Sequence, residues 1–520
     1  MDSYDAVIIG GGTTGAAAAL RLHQLAPDAR VLLIEQSASF DRRPEPTSEL
    51  QGLYLCRALR QWNHLARHQL PHHGARFWFH DEDVLRIQNA TELGTRAQPR
   101  FPSFLLREDV ACEHLLSQAQ ALGTEILRPA TVLDLELEAC DSRVHVEVDG
   151  VRRTIAARWV LDASGRRALL GRKLGLLEPE RSHPMAALTA RWTGDLDLDG
   201  AHFAPDTDFS RASLVARRLC SNSFVGFGYS VNCLALGDGE MEVTLVWDKR
   251  VLDLHREPDL VDAYTAFLSG LPALRQLLQQ AEMARGELRF LPQVAFRARR
   301  VAGQGWALLG TAAGYLDHSL GASADQGVST VECSTDLVAR QLGGEAVGEA
   351  LERYNRAFQK GFDRQMHARF HDRSLIAGDF DLCWPLFLID RSLFVLCDLL
   401  PASCSASGAR RRPPWSGPFN GLRALLLRAL NRRFLQLAKN RMWTGNYGRH
   451  NHGLRLHYQA DSAGSALVSL AHGLTGWALR EFEDLGLVAQ RLWAWGVRGQ
   501  RSLPEGNDLD TLPEGIDVQR

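Results

Sequence analysis

Tyr4–Ile9 (YDAVII) opens the chain as a short run of apolar and β-branched residues, glycines follow it, and Ala16–Leu25 has the composition of a strong helix former. That order predicts strand, tight turn, helix. Val31–Ile34 (VLLI) makes a second buried strand ending at Glu35 and closes a βαβ unit of about 30 residues. Between Pro184 and Arg300, strand-like runs such as Met241–Trp247 (MEVTLVW) are interspersed with turn residues, which predicts a second, sheet-built lobe. Trp306–Leu309 reads as a strand that brings the chain back to the first lobe. From Gly343 onward helical periodicity dominates, broken at Pro401–Pro418, where Ser, Gly, Arg and Pro accumulate as in a loop. The pattern predicts an α/β protein divided as 1–183 (first lobe), 184–300 (sheet lobe), 301–345 (return to the first lobe), 346–500 (helical region) and 501–520. The last stretch is polar, repeats Leu-Pro-Glu-Gly at Leu503 and Leu512, and reads as a flexible tail.

Composition narrows the class without choosing a function. With 520 residues, 45% hydrophobic and 23% charged, the chain is close to average for soluble globular proteins, which excludes disorder and fibrous repeats. A net charge of −2 from 59 basic and 61 acidic residues gives no global field for nucleic acid or an anionic membrane. Nine cysteines are scattered without a C-x-x-C pair or metal-ligand spacing, which fits a reducing compartment, and a cytoplasmic location is expected. The chain enters its first strand with no basic and apolar leader, so no secretory signal is expected. No apolar run reaches the roughly 18 uncharged residues of a membrane span; the nearest, Leu382–Leu400, contains Asp390, Arg391 and Asp398. Lysine occurs only at Lys173, Lys249, Lys360 and Lys439.

Gly10, Gly12 and Gly15 fit G-x-G-x-x-G, with Thr13 and Thr14 between the last two glycines. The three glycines have separate duties: a tight turn, close backbone approach to a pyrophosphate, and close packing of helix on strand. The helix that starts there points free N–H groups and a partial positive charge at phosphates. Glu35 stands at the spacing that binds a ribose hydroxyl pair. This is a Rossmann-type dinucleotide site, and the unit alone leaves NAD and FAD open.

Two later segments bear on that choice: Trp159–Arg166 (WVLDASGR), a strand ending in Asp-Ala-Ser-Gly, and Trp306–Asp317 (WALLGTAAGYLD), a strand, a small-residue turn and an acid. From Tyr4 to about Arg340 the chain resembles the flavin-dependent aromatic hydroxylases and, more closely, the flavin-dependent halogenases and their relatives, with a weaker echo at Asp379–Ile389 (DFDLCWPLFLI). The resemblance implies FAD as cofactor, a sheet lobe that holds substrate, and a set of cofactor contacts. Asp162 and Gly165 would back the flavin fold; Arg107, in Phe104–Glu108 (FLLRE), would approach the cofactor; and Arg43, in Arg43–Glu49 (RPEPTSE), would belong to the loop over the isoalloxazine. Gly310, Thr311, Asp317 and Gly327 complete the expected contacts, Thr311 replacing the usual strand-end acid.

Three departures from the family bear on chemistry. No lysine precedes Lys173, so the lysine that handles hypohalous species in tryptophan-type halogenases is missing, and Leu70–Phe79 (LPHHGARFWF) offers His72, His73 and Arg76 instead. Imidazole shuttles protons near neutral pH, whereas guanidinium stays charged; a surface histidine pair is the plainer reading. The Trp-x-Trp-x-Ile-Pro signature, which the family uses to keep its site from hydroxylating substrate directly, is replaced by Ser230, Asn232 and Leu234-Ala235 within Val225–Asp248. The halide turn becomes Asp317-His318 followed by Gly321–Gly327, which places Asp325 where a carboxylate would repel chloride; Asp325 also suits an N-cap for a helix starting near Gly327.

These features favour a halogenase-like FAD monooxygenase acting on an aromatic or carrier-tethered intermediate, with His72, His73, His318 and Asp325 as acid/base candidates and Arg76 as an electrostatic anchor. A halogenase with a divergent site, a flavin oxidase or dehydrogenase, and a non-catalytic protein that keeps the flavin fold are the alternatives. No second glycine-rich unit for NAD(P)H is found, so electrons are expected from a separate flavin reductase, from transient NAD(P)H contact or from substrate; no metal is expected. Gly421–Met442 is basic and amphipathic. It suits a carrier protein or a membrane surface, though such helices more often turn their leucines to a core and their arginines to water.

Overall fold

The structure, a computed structural model, describes residues 3–80, 84–139, 141–200, 209, 212–284, 286–317, 322–405, 415–417 and 419–498. Ser3–Ile9 lies inside an eight-stranded sheet. Val31–Ile34 and Val151–Asp162 flank it, both parallel, with Ala6 opposite Val31 on one side and Trp159 on the other. Parallel neighbours need a crossover that covers a sheet face, and the helix Thr13–Leu25 supplies it. Trp306–Leu308 then extends the sheet beyond Val151–Asp162, pairing Leu161 with Ala307, so the late return to the first lobe is observed as the pattern predicts. Val7, Ile8, Leu33, Leu161 and Leu308 are fully buried, and their core continues into the helices Ala322–Leu342 and Gly348–Gln365 through Val338 and Phe358.

The second sheet has nine strands, among them the antiparallel run Met185–Gly194, Glu240–Asp248, Tyr229–Gly237 and Ser221–Gly226. Ala75–Phe79 adds in parallel to Ser221–Gly226, followed by Thr91–Thr95 and Arg455–Tyr458. Those three strands come from outside the 184–300 stretch, two from before it and one from after most of the helical region. Side chains alternate across a strand, and Tyr229, Val231 and Cys233 pack with Tyr264, Leu268 and Leu274 of the covering helices Leu260–Gly270 and Pro272–Leu278. Ser230, Asn232 and Leu234 therefore face the opposite way, toward the nucleotide lobe.

The helices Phe380–Phe394, Phe419–Thr444 and Ala463–Arg498 close that side. Within Phe419–Thr444, Leu427, Leu430, Phe434 and Leu437 are buried, as an inward leucine face predicts. Arg423 departs from that pattern: it is buried and ion-paired to Asp398, and Arg433 pairs with Glu481, while Phe419, Leu422, Leu425 and Leu426 are exposed. Among the described residues no helix is long and apolar enough to cross a membrane, and no group of His, Cys, Asp and Glu is placed to hold a metal ion. The expected tail, 501–520, lies outside the described residues.

Candidate active site

Gly10 has φ +103°, and a Cβ there would stand 2.4 Å from the carbonyl oxygen of Ala163. A Cβ on Gly15 would lie 1.9 Å from the carbonyl oxygen of Gly10, which fixes how closely Thr13–Leu25 packs on the strand. Gly12 differs: a Cβ would meet nothing nearer than Glu108 Oε1 at 3.9 Å, because Gly12 fronts a crevice of about 760 Å³. The helix that begins there has no acidic side chain of its own in its first turn, so its free N–H groups point into that space. Glu35 is held at the wall by the amides of Gly11 (2.6 Å) and Ser37 (2.7 Å). The cradle that extra Cβ atoms would fill, the open helix end and the acid on the second strand together fit a dinucleotide.

Thr13, Thr14, Arg43, Gly165, Gly310 and Thr311 also border the crevice, as do Asp317 and Gly327. Gly15, Asp162 and Arg107 do not. Asp162 is fully buried, which raises its pKa, and it accepts from the Ser164 amide (2.9 Å), the Ser164 hydroxyl (2.6 Å) and the Leu170 amide (2.8 Å). It shapes the Ala163–Gly165 turn from behind. Arg107 turns outward to Asp109 at 2.7 Å, and the next residue, Glu108, takes the crevice side as the first residue of the helix Glu108–Ala121. Burial, reinforced by the like charge of Glu45, pushes Glu108 up to about 7. Glu45 itself accepts from the Thr13 hydroxyl at 2.9 Å, so two acids stand beside the open helix end.

Beyond the crevice, between the second sheet and the C-terminal helices, lies a chamber of about 90 Å³. Phe77, Met185, Val225, Val246, Phe370 and Phe387 make its walls mainly apolar. Ser230 lines it, and Asn232 and Asp317 border both the chamber and the crevice, so the two spaces adjoin. His183 Nε2 lies 2.6 Å from Asp317 Oδ2, and both side chains are nearly fully buried. The histidine ring meets Phe370 edge-on at 6.2 Å. An apolar space with a few convergent polar groups is the ordinary construction of a small-molecule site. A dry cavity of about 150 Å³ accepts benzene, so this chamber holds a single ring only if part of the ring reaches toward the crevice.

The histidines and arginine singled out at 72, 73 and 76 line neither space. His72 Nε2 meets the Ser221 hydroxyl at 2.9 Å and its Nδ1 faces Ser103 Oγ at 3.0 Å, and burial brings it down to about 4, which keeps it neutral. His73 is buried, its pKa likewise lowered by burial. Arg76 is fully buried against Glu92, which also meets Arg217 at 3.1 Å and Arg455 at 3.4 Å. Arg76 lies on a strand of the second sheet, and His72 and His73 fall on the link between that strand and Leu70–Pro71, which pairs with Phe104–Arg107. Asp325 is not a cap either: its helix starts at Ala322, leaving Asp325 in the first turn with a hydrogen bond from the Ser48 hydroxyl, and burial pushes it up to about 7. Its neighbours Ala324 and Gly327 border the crevice. His318 lies outside the described residues. Sequence reasoning missed His183, which precedes the proline that marks a lobe boundary, and nothing in its local pattern distinguishes it.

Residues 3–198 match the model of the FAD binding domain family. The chain is a flavoprotein. No curated protein matches it. Among solved structures, the flavoprotein is similar to the halogenase PltM in complex with phloroglucinol and FAD, at 13% identity and TM-score 0.68, covering 91% of this chain and 96% of that one. It is similar to the myxobacterial chondrochloren halogenase CndH, at 18% identity and TM-score 0.58, covering 71% of this chain and 83% of that one. A flavoprotein/dehydrogenase from Cytophaga hutchinsonii shares 16% identity and TM-score 0.61 over 84% of this chain and 99% of that one. At such identities the likeness is one of fold. FAD and the flavin-halogenase fold, both expected from the glycines and the Asp-Ala-Ser-Gly turn, are borne out.

Proposed function

We propose that the flavoprotein is an FAD-dependent monooxygenase that places oxygen on a single-ring, electron-rich aromatic compound held in the chamber. The observation that carries this reading is the shared border: Asn232 and Asp317 line both spaces, and the resemblance to tryptophan-type halogenases implies that Ser230 and Asn232 replace that family's signature tryptophans. Small polar side chains there leave substrate next to the flavin.

Bound FAD, once reduced, supplies the two electrons with which one atom of O2 enters the ring and the other leaves as water. Gly10, Gly12 and the Thr13 helix end hold the diphosphate, and Glu35 takes the ribose. His183 takes the proton of a ring hydroxyl, and Asp317, 2.6 Å away, orients the imidazole and balances its charge. The phenylalanines and Val246 exclude water from the ring. With no second dinucleotide unit in the sequence, reducing equivalents come from a separate flavin reductase.

A halogenase is the second reading, favoured by the fold shared with PltM. Against it, among the described residues no lysine lines the crevice or the chamber. The substitution Asn232→Trp separates the spaces without touching the nucleotide glycines. The expected result is a variant that retains FAD and loses turnover of monocyclic phenols; turnover equal to that of the native protein overturns the reading.

A further inference from the structure

Arg373 follows a turn of the chain through Asp372 and borders the chamber beside Phe370, Ser374 and Ala377. Its Nε donates to the carbonyl of Arg369 at 3.2 Å, and among the described residues its two terminal nitrogens have no hydrogen-bond or ion-pair partner. The acids around it are already matched. Asp390 pairs with Arg369 at 2.9 Å, Asp398 pairs with Arg423, Asp372 pairs with Arg250 at 2.8 Å, and Asp317 is held by His183. The terminal nitrogens of Arg373 are therefore left without a contacting acid at the edge of a mainly apolar space, with Asp390, which also borders the chamber, attracting the guanidinium from farther off. Burial lowers its pKa, and Asp390, acting from beyond ion-pair distance, offsets this only in part.

We propose that Arg373 is the anchor for an acidic substituent, a carboxylate, on the ring that occupies the chamber. A planar fork of N–H donors matches a carboxylate bidentately, and desolvation strengthens the contact. The chamber then has two polar poles, Arg373 for the acid and the His183–Asp317 pair for a ring hydroxyl, with phenylalanines between them. The substrate class is a single-ring hydroxyaryl carboxylic acid. This inference rests on the reading of the chamber as the place where substrate sits.

The test titrates FAD-loaded, oxidised protein with the three isomers of hydroxybenzoate, each beside its amide, and reads dissociation constants by calorimetry. At least one acid is expected to bind about tenfold or more tightly than its amide, the scale of a charge-assisted hydrogen-bonded pair. Arg373→Gln is expected to erase that preference while FAD content and melting temperature stay as in the native protein. Arg373→Lys keeps the charge without the fork and is expected to reduce the preference severalfold; it serves as the deciding variant if Arg373→Gln does not fold. Equal binding of acids and amides, binding of neither, or a preference that survives both substitutions overturns the proposal. Acid-selective binding without turnover would sink the oxygenase reading and leave the anchor standing, whereas turnover of uncharged phenols with no acid preference would do the reverse.

Discussion

The crevice and the chamber adjoin, yet they are built from different materials. The crevice is mainly backbone: Gly10 and Gly15 bring the main chain together, the first turn of Thr13–Leu25 presents its amides, and Glu35 ends a strand that pairs directly with Ser3–Ile9. The chamber is made of side chains from Phe77, His183, Met185, the strands around Val225 and Asn232, and the helices from Phe370 to Asp390. The part of the crevice between Gly10 and Glu35 is set by local glycine and turn chemistry within some thirty-five residues. A site made of side chains exists only after three hundred residues of chain have folded around it.

That contrast predicts that the two regions break separately. The largest effect is expected from Gly10→Ala, which forces a left-handed φ and a Cβ against the Ala163 carbonyl. Stability should fall by about 3 kcal/mol or more, and purified protein should lack FAD absorbance. FAD content equal to that of the native protein would break the account of the crevice. His183→Gln should do the opposite, keeping FAD in full while turnover of a monocyclic phenol drops roughly 100-fold or more, the weight of a lost acid/base group. A variant that loses both together would mean that the two regions are one unit.

Two smaller effects sharpen the boundary between them through pH. Asp325 is raised to about 7, so the folded protein holds a proton there that the unfolded chain has already released. Stability linked to it is therefore greatest below the unfolded value and declines as pH rises toward 7. Asp325→Asn should stabilise by about 2 kcal/mol at pH 8 and by little at pH 4, as read from melting curves at both pH values. Glu108, also raised to about 7, faces the crevice beside Glu45 and the helix end. A diphosphate placed there favours the protonated acid, so FAD affinity should fall severalfold from pH 6 to pH 8, and Glu108→Gln should flatten that slope. A steeper slope in the variant would place the diphosphate elsewhere.

How much of this was legible in the sequence follows the same division. Gly10, Gly12, Gly15 and Glu35 announced the βαβ unit because each carries its constraint locally, and Trp306–Leu308 declared its return by being apolar and short. Arg107 and Glu108 show the limit: the strand was visible, but which of two neighbours faces the crevice depends on where the helix Glu108–Ala121 takes over, one residue deciding the side. His72, His73 and Arg76 looked reactive because histidine and arginine cluster there, yet Ala75–Phe79 is drawn into the second sheet and Glu92 claims the arginine. His183 and Asp317 stand 134 residues apart in the chain and meet only because Met185–Gly194 and the stretch after Trp306–Leu308 belong to different sheets that pack together. No local pattern encodes that meeting. Asn232 and Ser230 lie between these cases: their strand and its family likeness were readable, and their place on the wall between the two spaces was not.

The central claim is that a ring in the chamber receives oxygen directly across that wall. The most direct measurement supplies reduced FAD, labelled O2 and a monocyclic phenol to the purified flavoprotein, with and without chloride or bromide, and weighs the product. The account predicts one labelled oxygen atom in the ring and no dependence on halide. A product that forms only when halide is present and carries halogen instead of label would contradict it.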